Sequence, residues 1–112
     1  MLTYALIAFA VAALGGLVLA AHVLRGKFAP WALSLLHAVL GATGLVLLIM
    51  LLLQGLAAGP VLIGFGLLVL AALGGFFLAA YHLRKNLPPK PVVLIHASVA
   101  VIGFLLLLVQ VV

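Results

Sequence analysis

Four histidines, His22, His37, His82 and His96, are the side chains of this sequence best suited to hold a metal or a cofactor, and no Cys, Asp or Glu accompanies them. His37 stands in Leu35-Leu36-His37-Ala38, with Gly41 and Gly44 following; His96 stands in Leu94-Ile95-His96-Ala97, with Ala100 and Gly103 following. In both stretches an imidazole interrupts an unbroken apolar run, and small residues recur four and seven positions later, on the same face of a helix. An ionisable group in such a run is costly and calls for a partner. Two imidazoles on opposed elements can take both axial positions of a haem iron.

The missing residue types exclude much else. Without cysteine there are no disulfides, thiolate metal sites, iron–sulfur clusters or covalent haem attachment. Without carboxylates there is no basis for a proton pump, a cation-coupled transporter or a carboxylate-bridged metal site. General acid–base catalysis would rest on histidine and tyrosine alone, so an electron carrier or a subunit fits better than a stand-alone enzyme.

The elements that must position the histidines are membrane spans. Of 112 residues, 71% are hydrophobic and five are charged, all basic. Four apolar runs, Leu2–Leu24, Trp31–Leu53, Val61–Leu83 and Val92–Val111, each suffice to cross about 30 Å of hydrocarbon at about 1.5 Å per residue. The first is too long for a signal-peptide core and is expected to be retained. Short connections at 25–30, 54–60 and 84–91, rich in Pro and Gly, make neighbouring helices antiparallel. The expected fold is all-α: one domain, 1–112, an up-down-up-down four-helix transmembrane bundle of two repeated hairpins, 1–54 and 60–112.

Arg25, Lys27, Arg84, Lys85 and Lys90 all fall in the first and third connections, which lie on one side. The positive-inside rule turns that side to the cytoplasm of a bacterial-type inner membrane and both termini outward. Anionic lipid headgroups, not nucleic acid, are the expected partner of these charges. Trp31, Tyr81 and Tyr4 read as interfacial anchors.

The second hairpin repeats the first. His37 answers His96 at an offset of fifty-nine, and the histidines of helices 1 and 3 suggest an offset of sixty, with Gly15 and His22 answering Gly75 and His82. Direct repeats are related by an axis along the membrane normal, so helices 1 and 3 are diagonal partners, as are 2 and 4. This makes an inner pair, His37 and His96, and an outer pair, His22 and His82, nearer the basic loops. With the inner pair on the iron of one haem b, Gly41, Gly44, Ala100 and Gly103 admit the macrocycle. His22, His82, Arg25, Lys27, Arg84 and Lys85 then meet the propionates.

Other readings stay open. The outer pair could ligate instead, or all four histidines could hold a metal ion. A (bacterio)chlorophyll could use one of them, or the inner pair could only hydrogen-bond across helices. A cofactor-free accessory subunit of a membrane complex, or an oligomer, would carry small residues on faces away from the histidines, and Gly64, Gly66, Ala71 and Ala72 are candidates.

The motifs Leu-His37-Ala-x2-Gly41-x2-Gly44 and Ile-His96-Ala-x2-Ala100-x2-Gly103 resemble the helices of small four-helix membrane b-type cytochromes, the cytochrome b561-like group. That resemblance implies bis-histidine haem b and electron exchange with a quinone or a larger respiratory or redox complex. The group typically places histidine pairs toward both membrane faces. Here one half has none, so electron transfer across the whole membrane by this chain alone is not expected.

Overall fold

The computed structural model describes residues 1–55 and 59–112. Its four helices are α1 (Leu2–Leu24), α2 (Trp31–Leu53), α3 (Gly59–Leu83) and α4 (Lys90–Leu108). The first two keep the bounds read from the sequence. The start of α3 takes in Pro60, and that of α4 takes in Pro91, because proline costs nothing in a first turn whose N–H groups have no helical partner. α4 also stops short of Val111: Gln110 N–H to Leu107 O and Val111 N–H to Leu108 O, both 3.1 Å, tighten the chain into turns. Part of the second connection, residues 56–58, lies outside the described residues.

The helix ends fix the register of the repeat. α1 closes with Lys27 N–H on His22 O at 2.9 Å, and α3 with Asn86 N–H on Tyr81 O at 2.9 Å, the six-to-one bond of a Schellman cap. The left-handed residue of each cap is Gly26 (φ 76°) and Lys85 (φ 58°). α2 and α4 then start from Pro30 (φ −62°, ψ 133°) and Pro89 (φ −60°, ψ 130°). Each of these pairs is separated by fifty-nine positions, so the two basic connections have equal length. The offset of sixty expected for helices 1 and 3 is therefore wrong. Ala12-Ala-Leu-Gly-Gly16 matches Ala71-Ala-Leu-Gly-Gly75, His22 matches Tyr81, and His82 matches Val23.

α1 packs closely on α2, and α3 on α4; the hairpins meet along α1–α4 and, less extensively, along α2–α3. Helices 1 and 3 lie on one diagonal and 2 and 4 on the other, in a rod of 42 × 23 × 21 Å. The core cluster, Ala5, Leu6, Phe9, Leu48, Val61, Leu68 and Leu107, fills the half remote from the basic connections. In the half that holds the histidines, Val93 is the buried side chain nearest the loops within the helices, with Ala12 and Ala71 at the midpoint. All four helices are long and apolar enough to span a membrane, and no polar side chain is buried among the described residues.

Gly44 and Gly103 belong to the packed half. A Cβ on Gly44 would stand 2.6 Å from the Phe9 ring, and one on Gly103 would stand 3.0 Å from Leu68 and 3.2 Å from Gly64 O. They let the helices of each hairpin approach each other, a role that spacing along one helix does not reveal. Gly64 and Ala71 likewise point inward, because they are where α3 meets α4.

Two substitutions test this account by thermal denaturation in detergent. Lys85→Gly removes a side chain from a left-handed conformation and should stabilise by about 1 kcal/mol. Gly41→Ala enters open space and should be neutral or stabilising by up to about 1 kcal/mol, whereas Gly103→Ala should lower the midpoint clearly.

Candidate functional site

His37 and His96 sit on the diagonal helices α2 and α4 and face each other, with ring centroids 6.3 Å apart and planes at 77°. Each is anchored on the helix paired with its own. His37 Nδ1 is 2.8 Å from Ala12 O, and His96 Nδ1 is 2.7 Å from Ala71 O. A carbonyl oxygen can only accept, so both Nδ1 atoms carry hydrogen, and a neutral ring keeps its lone pair on Nε2. Both Nε2 atoms have no hydrogen-bond partner among the described residues, and no buried side-chain nitrogen there is sealed off without one. Nε2 is thus free to ligate in both rings.

Glycine makes this anchoring possible. Ala12 O lies one helical turn before Gly16, and a Cβ on Gly16 would stand 2.9 Å from His37 Cε1. The matching Cβ on Gly75 would stand 3.2 Å from His96 Cε1. Gly15 and Gly74 border the same rings, at 4.0 Å from His37 Cβ and 3.6 Å from His96 Nδ1. The glycines that serve the histidines are therefore those of the partner helices. The signal for them is in the sequence: the five residues 12–16 recur unchanged at 71–75.

Gly41, one turn beyond His37, has nothing within 4 Å of its Cβ position, and Ala100, one turn beyond His96, is half-buried. The face next to the histidines is left uncrowded, unlike the layer at Gly44 and Gly103. A groove of about 280 Å³, bordered by Val11, Leu14, Gly15, Leu33 and Leu36, also reaches His37 from the side.

The other two histidines do not form a pair. His22 Nδ1 donates to Val18 O at 2.8 Å, one turn back in its own helix. His82 stacks on Trp31, with centroids 3.9 Å apart and planes at 8°, and more loosely on Phe28 at 5.8 Å and 17°. Among the described residues no three ligating side chains converge, so a single four-histidine metal centre is not formed. Arg84 Nε donates to Ala80 O at 3.2 Å, and its guanidinium lies 5.3 Å from the Tyr81 ring centre. Arg25, Lys27, Arg84, Lys85 and Lys90 are exposed, and with no acidic residue in the chain none has a side-chain counter-ion.

A hydrogen bond at Nδ1 is the usual outer partner of an imidazole that ligates through Nε2. No protein-family model, curated protein or solved structure matches the chain.

Nitrogen-15 NMR of labelled protein should show His37 and His96 carrying hydrogen on Nδ1. Gly16→Ala should shift His37 toward the Nε2-protonated form, and Gly75→Ala should do the same to His96 less strongly, following the 2.9 Å and 3.2 Å contacts. Unchanged ring signals would remove the glycines from the site.

Proposed function

We propose that the chain is an integral membrane haem b protein, an electron carrier or the haem-bearing subunit of a larger redox complex, with His37 and His96 as axial ligands. The observation that carries this reading is the facing pair of imidazoles, each held through Nδ1 on a helix carbonyl and each with Nε2 free. The haem iron, when bound, supplies a one-electron ferric–ferrous couple. The protein's part is to fix two neutral ligands, keep water away with apolar helices and balance the propionates.

The surroundings fit that division. In the histidine half Gly16 and Gly75 let the two rings settle on α1 and α3, and Gly41 has open space at its Cβ position. The exposed cations Arg25, Lys27, Arg84 and Lys85 ring the nearer end, where carboxylates would otherwise find no partner in this chain. His22 lies in the same end layer, with its Nδ1–H given to Val18 O. By the positive-inside rule that end faces the cytoplasm and both termini face outward. Electron exchange is then with a quinone or a docked redox protein near the cytoplasmic face, and anionic headgroups border the same loops.

Absorption spectra of detergent-purified protein, oxidised and then reduced, test the reading. The expected result is a sharp reduced α-band and about one haem per chain by pyridine haemochrome, consistent with bis-imidazole ligation. His37→Ala and His96→Ala should each abolish the low-spin spectrum, while His22→Ala keeps it. A colourless protein made with ample haem would replace this reading with a cofactor-free subunit, and a far-red band would point to a chlorophyll.

A further inference from the structure

The two repeats agree closely in the histidine layer and disagree at its mouth. On the α2–α3 seam, His82 from the end of α3 stacks on Trp31, the first residue of α2, and on Phe28 just before it. Shifted by fifty-nine positions, the same three places on the α4–α1 seam hold Val23, Lys90 and Leu87, none of which can stack. One seam is clasped and its symmetry mate is not.

The clasped seam is also the less extensive of the two. Its far end is the packed half, where Leu48 on α2 and Val61 and Leu68 on α3 belong to the core cluster and the second connection joins the two helices. Its near end, beside the histidines, lacks such a core. Two helices held together at one end and lightly packed along their length open at the other, unless something closes it.

We propose that the Trp31–His82 stack is a latch on the α2–α3 seam, and that this seam is the side on which the histidine layer opens. With the latch shut, His37 and His96 face each other inside the bundle. With it released, α2 and α3 part at the loop end about the packed far end, and the free Nε2 atoms come within reach of an incoming ligand. The latch does not depend on which ligand His37 and His96 hold.

The chain has no cysteine, so cysteines placed at Lys27 and Asn86, exposed and fifty-nine positions apart, can carry spin labels without background. In the parent protein the distance distribution should be narrow. With His82→Val or Trp31→Lys, each the residue of the other repeat, a longer-distance population should grow by roughly two- to tenfold, the range a lost aromatic stack implies. In protein with no ligand on the histidines, the rate at which diethylpyrocarbonate acylates His37 and His96, read by mass spectrometry, should rise by a similar factor. His82→Phe keeps a ring on Trp31 and should restore the parent values in both measurements, which separates the latch from general loss of structure. Distances and acylation rates that do not change on His82→Val or Trp31→Lys would overturn the proposal, as would acceleration that His82→Phe fails to reverse.

Discussion

A chain without a single carboxylate offers a half-buried imidazole no side-chain anion, so its histidines find their hydrogen bonds on the backbone. That constraint shapes the centre of this molecule. His37 and His96 solve it alike, by donating from Nδ1 to Ala12 O and Ala71 O of the adjacent helix. Those carbonyls already serve the helical N–H one turn later, and the second lone pair of each oxygen takes the histidine. An imidazole reaches such an oxygen only where the helix surface is bare, which is why Gly16 and Gly75 stand there. Close packing of α1 on α2 and of α3 on α4 follows from the same requirement.

The bundle divides its labour along its length. The far half is sealed by Phe9 over Gly44, Leu68 against Gly103, and the fully buried Leu48 and Leu107. Contacts of that kind are individually weak and collectively large, and they need no polar group. The histidine half gives up part of this packing for space around two rings. A rigid far half allows the near half to be loose without loss of the fold.

Helix number, the first two helices and the diagonal arrangement were legible in the sequence because proline, glycine and charge mark the connections unambiguously. The end of α4 was not, since Val109, Val111 and Val112 carry the apolar run past Gln110 and backbone bonds end the helix before it. Pairing His22 with His82 by residue type misplaced the register by one. The Leu24-Arg25 and Leu83-Arg84 steps carry the true offset, because the caps form there. His37 and His96 stand out by their apolar setting, and the structure places their rings 6.3 Å apart. Their glycine supports were misassigned because spacing along one helix tells which residues share a face, and only tertiary packing tells which neighbour covers it. The stack of His82 on Trp31 had no local signal at all.

A duplication that keeps residues 12–16 unchanged at 71–75 makes the departures near the histidines informative. Where the repeats agree, at Ala12 and Ala71, Gly16 and Gly75, His37 and His96, the requirement is symmetric, as it is for a ligand bound through two equivalent imidazoles. Among the departures, Val23 and His82, Gly26 and Lys85, and Trp31 and Lys90 stand at the basic end. Lys85 even holds a left-handed backbone that the other repeat gives to glycine, a substitution that costs stability. A symmetric centre gives the two histidines equal surroundings, and an asymmetric mouth gives the bundle one seam that differs from the other. Symmetry at the histidines and asymmetry at the basic end are compatible in one duplicated chain, because the residues of the basic end can change without disturbing the carbonyl bonds that hold the imidazoles.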